Sequence, residues 1–233
     1  MPAVLLPAPA AVIFDMDGVI IDSQAAANRA LVEAAARHGV RLNVAELEDL
    51  VGASEEQFWA YVRTRYGLPE PVSFYAASYD EDQEIASYDE TLVAPGLYAF
   101  FAELRAANVQ IALSTLGSRK RMNAVIEMFE LAHWLDIAVC REDVARPKPA
   151  PDLFLSVAAA LGVAPSQCVV IEDSAPGILA ARSAGMRVVG FLAYAAPASL
   201  RPGAHSYLNS FEGLGFAGLQ RLWAEFSPAL PEL

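Results

Sequence analysis

The chain has 233 residues, 55% hydrophobic and 19% charged, which is enough apolar material for one domain, or one domain with an insert, and excludes a disordered or fibrous protein. Its formal net charge of −12, without the basic patches that nucleic acid or an anionic membrane requires, excludes both as main partners. No apolar run reaches the roughly 18 to 20 residues of a membrane-spanning helix. The two cysteines, Cys140 and Cys168, lie in or beside apolar runs. They read as buried thiols, which suits a reducing, cytoplasmic setting.

MPAVLLPAPAA has no basic residue, and prolines break its apolar run, so it reads as a short lead-in rather than a signal peptide. The first strand is predicted at Ala11 to Asp15. From Ser23 to Leu92 the chain reads as helix after helix, with Ala27, Leu31, Ala35 and His38 on one helical face. Phe58, Tyr61, Val62 and Arg65 share another, behind a capping box formed by Ser54 and Gln57. YDEDQEIASYDE, from Tyr79 to Glu90, reads as a solvated face or loop. An inserted helical domain over residues 23–91 is therefore expected to interrupt a core made of residues 1–22 and 92–233.

Strands follow at Val109 to Ser114, Ile137 to Cys140, Cys168 to Ile171 and Arg187 to Phe191. Between them lie helices at Ser118 to Glu130, Pro151 to Leu161 and Ser174 to Ala184, the last two stopped by Gly162 and Gly185. Alternating strands and helices, with strands apolar on both sides, predict an α/β fold with a Rossmann-like parallel sheet between helices. The text after Phe191 is rich in Ala and Pro, with a closing helix predicted around Phe211 to Phe226, and no internal repeat is found.

Ligands of open parallel sheets bind outside the carboxyl ends of the strands, so polar residues that end apolar runs are the candidates. Asp15 and Asp17 end AVIF; a D-x-D pair is also an ordinary turn. Ser114 and Thr115 end IAL before a small-residue loop and a helix start, which suits a phosphate oxygen or an ordinary helix cap. Lys148 is held between two prolines, as a fixed cation or a solvated loop lysine. Glu172 and Asp173 end the most apolar strand. Adjacent carboxylates there are costly unless a cation lies between them and the first pair, and a magnesium ion with oxygen ligands would remove that cost.

In this order the pieces FDMDGVIIDS, IALST, KPAPD and VIEDSAPGI make the chain resemble the haloacid dehalogenase-like superfamily, from about Ala11 to about Phe191. The resemblance is to its phosphatase and β-phosphoglucomutase-like branch, in which a helical cap is inserted after the first strand. It implies Asp15 as nucleophile, giving an aspartyl-phosphate, and Asp17 as the acid and then the base. It implies Mg2+ held by Asp15, the backbone carbonyl of Asp17 and Asp173, with Glu172 near it. Thr115, or alternatively Ser114, would bind the phosphoryl oxygens, with Gly18 turning the backbone and Lys148 offsetting charge. The implied partner is a small phosphorylated metabolite, such as a sugar phosphate, under a cap that closes to exclude water. A monomer or weak dimer is expected.

Departures bear on the substrate. Leu116 stands where many relatives carry asparagine, and Glu55 and Ala27 stand where the mutases carry an arginine for a second phosphate and a histidine that gates proton transfer. Glu55 would repel a second phosphate, which favours a phosphatase over a phosphomutase. Asp17 disfavours dehalogenation, because dehalogenase relatives lack that acid. A non-catalytic phosphate-binding protein on the same fold is the alternative of another class. Gly52, Ala53 and Ser54 are candidates to approach the substrate, or form a plain interhelical turn. His38, His133 and His205 have no ligand spacing and are assigned to structure or surface. Arg119, Lys120 and Arg121 read as a solvated helix start, or with one of them leaning toward a substrate anion.

Overall fold

The computed structural model describes residues 8–43, 45, 46, 50, 55–194 and 203–225. It divides into two compact units, Ser23–Leu92 and the combination of Met1–Asp22 with Val93–Leu233.

The larger unit contains β1 (Ala11–Phe14), a helix at Leu97–Ala106, β2 (Gln110–Ser114), a helix at Arg119–Met128 and β3 (Ile137–Val139). A helix at Asp152–Leu161, β4 (Cys168–Glu172), a helix at Ala175–Ser183, β5 (Arg187–Phe191), β6 (Ser206–Leu208) and a helix at Gly215–Glu225 complete it. The strands form one parallel sheet in the order β3-β2-β1-β4-β5-β6. This is the α/β Rossmann-like fold, with helices on its faces.

The sheet is buried on both sides because successive residues point to opposite faces. Ala11 and Ile13 of β1 join Val170, Val188, Phe154 and Val157 in one apolar cluster. Phe14 meets Phe101 edge-on at 5.0 Å between centroids, and Phe211 stacks on Phe100 at 5.6 Å and on Phe191 at 4.6 Å. Register then fixes what lies where the strands end. Phe14 is paired with Leu113 on one side and with Ile171 on the other. Asp15, Ser114 and Glu172 therefore come level at the carboxyl edge.

Two elements of this unit go beyond the sequence reading. β6 is a short edge strand whose central Tyr207 is exposed and lies over Gly190, so it lacks the apolar run that marked the other strands. The helix at Leu97–Ala106 buries Leu97, Phe100, Phe101 and Leu104. The closing helix begins at Gly215 rather than Phe211, because Phe211 is a core residue beneath the sheet.

In the smaller unit the helices are α1 (Gln24–Arg37), α2 (Glu55–Tyr66), α3 (Val72–Ala76) and α4 (Glu81–Ala86) among the described residues. Accordingly, the helices of the larger unit are α5 (Leu97–Ala106), α6 (Arg119–Met128), α7 (Asp152–Leu161), α8 (Ala175–Ser183) and α9 (Gly215–Glu225). The smaller unit's core joins Leu31, Ala34, Ala35, Val40, Phe58, Trp59, Val62 and Tyr75, with Trp59 stacked on Tyr75 at 5.6 Å. The faces thus differ in part from those predicted. α1 buries Ala26, Ala30, Leu31, Ala34 and Ala35 and leaves Ala27 half-buried, and α2 leaves Arg65 exposed. The acidic stretch is not wholly solvated. Glu84 is buried and accepts hydrogen bonds from the hydroxyls of Tyr79 at 2.5 Å and Tyr88 at 2.6 Å, so two tyrosines of the stretch hold its carboxylate. Ser54 of the expected capping box lies outside the described residues. Among the described residues no helix is long and apolar enough to cross a membrane.

Candidate active site

The sheet order places β1 between β2 and β4, so the polar residues that end these three strands converge. Lys148 reaches them from the loop before α7, between Pro147 and Pro149. Its side chain is only 2% exposed. The Nζ donates to Asp15 Oδ1 at 2.5 Å, to Glu172 Oε2 at 2.9 Å and to the Ser114 carbonyl at 3.3 Å. It also lies 4.9 Å from the centre of the Phe154 ring. An ammonium has three protons, and each has an acceptor here. Burial works against the charge, but the nearby Asp15 and Glu172 carboxylates outweigh it and hold the Lys148 pKa above its ordinary value. The lysine is a fixed cation, and the solvated-loop alternative is set aside.

Glu172 is buried and fully engaged. Its second oxygen accepts from the Ser174 N–H at 3.0 Å and the Ser174 hydroxyl at 2.7 Å. Ser174 in turn caps α8 through the Gly177 N–H. A Cβ on Gly177 would stand 2.0 Å from the Glu172 carboxyl, so only glycine admits that carboxylate.

Asp15, Glu172 and Asp173 have carboxylate oxygens that lie within 4.8 Å of one another. One buried lysine does not neutralise three carboxylates. Burial, followed by repulsion from Glu172, pushes Asp15 up to about 8 and Asp173 up to about 9. A crowded set of oxygen donors with a deficit of positive charge fits a hard divalent cation, so this donor set matches the magnesium expectation. The carboxylate of Asp17 is not in the cluster, and the expectation of Asp17 as a ligand concerns its backbone carbonyl.

Gly18 is the hinge of this arrangement. It has φ +73°, in the left-handed region, and a Cβ there would lie 2.2 Å from Asp173 Oδ2. The turn that carries Asp17 thus packs directly on the Asp173 carboxylate. Gly18→Ala should cost roughly 1–2 kcal/mol in backbone conformation alone. It should also displace Asp173, lowering the thermal midpoint by several degrees and weakening divalent-ion binding. A midpoint and an ion affinity equal to the native chain's would refute this.

Thr115 and Ser114 are both fully buried. The Thr115 N–H donates to the Val139 carbonyl at 3.0 Å, and its Oγ1 accepts from the Gly117 N–H at 2.8 Å, which shapes the loop before α6. The Ser114 hydroxyl has no hydrogen-bond partner among the described residues. Leu116 is exposed. Gly52, Ala53 and Ser54 lie outside the described residues, and Glu55 is exposed at the start of α2.

The basic run differs from its reading as a solvated helix start. The Arg121 guanidinium binds Asp17 with two hydrogen bonds, Nη2 to Oδ1 at 2.5 Å and Nη1 to Oδ2 at 2.9 Å. Arg119 pairs with Asp143, and its N–H donates to Glu142 at 3.0 Å. Arg121 is thus the member of the run that reaches the site, and its partner there is Asp17, which sequence reasoning did not foresee. Its partner is 104 positions away, and the only local signal was a cation three residues after the capping Ser118.

The histidines and cysteines stay outside this site. His205 Nδ1 accepts from the Val188 N–H, His38 lies 2.6 Å from the Ser78 hydroxyl, and His133 lies against Trp134. Burial pushes both cysteine thiols up to about 11, which leaves them poor nucleophiles.

With this geometry in view, the comparisons with known proteins can be stated. The family model of the haloacid dehalogenase-like hydrolases matches residues 9–185. Hexitol phosphatase B of Escherichia coli (strain K12) is 32% identical over 187 residues, covering 77% of this chain and 82% of the relative. Fructose-1-phosphate phosphatase YqaB of the same organism is 30% identical over 181 residues, covering 77% and 95%. Among solved structures, β-phosphoglucomutase from Clostridium difficile superimposes with a TM-score of 0.75 at 25% identity, covering 94% of this chain and 98% of that one. The chain spans only 17% and 52% of the length of two other curated relatives, the SUPPRESSOR OF QUENCHING 1 protein and a bifunctional riboflavin kinase/FMN phosphatase of Arabidopsis thaliana.

Proposed function

The chain belongs to the haloacid dehalogenase-like hydrolases, and we propose that within that family it is a magnesium-dependent phosphatase of a small phosphorylated metabolite, with sugar or sugar-alcohol phosphates as the substrate class. The observation that carries this reading is the meeting of Asp15, Lys148, Glu172 and Asp173 around one buried point, with Asp17 two residues beyond Asp15. Relatives named as hexitol and fructose-1-phosphate phosphatases support the substrate class.

In this reading Asp15 attacks phosphorus. A bond forms between its carboxylate oxygen and phosphorus while the bond from phosphorus to the ester oxygen breaks, and Asp17 gives its proton to the departing alcohol. Asp17, now a carboxylate, takes a proton from water as that water attacks the phosphorus of the aspartyl-phosphate and frees phosphate and Asp15. Lys148 holds one oxygen of Asp15 and favours its ionised form against burial and the Glu172 carboxylate beside the incoming phosphate. Thr115, with Ser114 as the alternative, binds the phosphoryl oxygens. The unpartnered Ser114 hydroxyl keeps that alternative open. Asp15, the Asp17 carbonyl and Asp173 would hold Mg2+, with Glu172 beside it. Bound there, the ion would offset carboxylate and phosphoryl charge.

A phosphomutase is the second reading, favoured by the structural likeness to β-phosphoglucomutase. Glu55 and Ala27 count against it, since neither can serve the distal phosphate or the proton gate in the way the resemblance requires.

The test is phosphate release from a panel of hexose and hexitol phosphates, phosphoglycolate, nucleotides and 4-nitrophenyl phosphate, with magnesium and with a chelator. Release from sugar or sugar-alcohol phosphates that stops on chelation is the expected outcome. Interconversion of hexose phosphates without phosphate release would favour the mutase, and silence across the panel from a folded protein would refute both.

A further inference from the structure

Four carboxylates, those of Asp15, Asp17, Glu172 and Asp173, crowd the carboxyl edge of this sheet, and two cations take three of them. Lys148 takes Asp15 and Glu172, and Arg121 takes Asp17 with both nitrogens. The second pairing is a built arrangement. Ser118 caps α6 by accepting from the Arg121 N–H at 3.0 Å, which fixes the backbone from which the guanidinium projects. The Arg121 side chain is only 13% exposed, so the pair is partly withdrawn from water. Two parallel N–H···O bonds fix direction as well as distance.

We propose that Arg121 is a positioning residue that acts through Asp17. It holds the Asp17 carboxyl in a set orientation beside the reacting centre and apart from the Asp15, Glu172 and Asp173 cluster, whose oxygens would otherwise compete for the same ion. A carboxyl that must give a proton to an ester oxygen and later take one from water has to stay in reach of both. The two-point grip is made to the ionised carboxylate, the form that takes a proton from water, and when Asp17 carries the proton one oxygen leaves the guanidinium while the other keeps the short side chain in place. The inference rests on the phosphatase reading, in which Asp17 handles protons.

The experiment compares native chain, Arg121→Ala, Arg121→Lys, Asp17→Asn and the double variant Asp17→Asn/Arg121→Ala. Each is assayed in magnesium with a sugar phosphate cleaved by the native chain and with 4-nitrophenyl phosphate. Loss of a positioned acid costs about 10²-fold or more. Arg121→Ala should therefore lower kcat for the sugar phosphate by roughly 10- to 100-fold with little change in KM. Its loss on 4-nitrophenyl phosphate should be smaller by about tenfold, since nitrophenolate departs without a proton. Arg121→Lys keeps the charge but not the two-point grip, so it should fall between. In the Asp17→Asn background, Arg121→Ala should change kcat by less than about twofold, because the residue through which it acts is already disabled. Losses that multiply in the double variant, equal losses on both substrates, or a rise confined to KM would overturn the inference while leaving the phosphatase reading standing. A native chain silent on every substrate would overturn both.

Discussion

Asp15→Asn is expected to abolish phosphate release, by at least about 10⁴-fold, as removal of a nucleophile does in enzymes of covalent mechanism. The amide offers no charged oxygen to phosphorus and forms no acyl phosphate that water can open. The same change should leave the metal-free protein at least as stable as the native chain. Asp15 is buried beside Glu172 and Asp173, and its pKa is pushed up to about 8 by burial and by Glu172. A carboxyl whose pKa is higher folded than unfolded binds more protons in the folded state. Stability then falls as pH rises from the unfolded pKa near 4 toward 8. In a chelator, the native thermal midpoint should decline across that window, and the Asp15→Asn midpoint should decline less. Magnesium should raise the native midpoint more than that of the variant, because one ligand oxygen has become an amide. An inactive variant that is also markedly less stable than the native chain without metal would show that Asp15 is primarily a structural partner of Lys148.

Lys148→Ala should be the most damaging single change in the larger unit. It removes the buried cation to which Asp15 and Glu172 are both bound and strips a contact from the Phe154 ring. Breaking a buried ion pair from one side costs about 3–5 kcal/mol, because the remaining charge is left uncompensated. That corresponds to a thermal midpoint lower by roughly 10 °C in a chain of this size. Removal of the lysine raises the Asp15 pKa further, so the loss should be smaller near pH 5, where that acid can protonate, and full near pH 8. Lys148→Met retains most of the stem and its packing on Phe154. A methionine variant as unstable as the alanine variant at pH 8, but not at pH 5, identifies charge as the cause. Equal destabilisation at both pH values would assign it to packing. Both variants should lose nearly all turnover, since no group is left to offset the charge of nucleophile and phosphate.

Much of this could be read from the chain because the elements that matter announce themselves chemically. β1, β2, β4 and β5 are apolar runs bounded by polar or small residues, and their parallel pairing follows from the helices between them. β6, with its half-exposed SYL, carries no such contrast and was not legible. The face of α1 was right at Leu31 and Ala35 but set one position off at Ala27, because Ala26, Ala30 and Ala34 look like their neighbours in sequence and only packing selects them, whereas Phe58 and Val62 of α2 are buried as expected. Asp15, Thr115, Lys148, Glu172 and Asp173 could be singled out as candidates because each stands at a strand end or between prolines. The pairing of Arg121 and the burial of Glu84 could not, since each is defined by side chains that fold onto it: Asp17 for the first, Tyr79 and Tyr88 for the second.

The position of β1 governs how the protein comes to exist. Ala11 pairs with Gln110 on one side and with Cys168 on the other. On a ribosome the strand AVIF emerges first, yet both of its neighbours are made much later. The nascent chain therefore carries an apolar strand with two unsatisfied edges, and contacts so distant in sequence form slowly. Chains halted before Glu172 should expose that strand and aggregate, whereas chains extended past Phe191 can close the sheet around it. Asp15 is thus synthesised early and comes level with Ser114 and Glu172 only when β4 has been made.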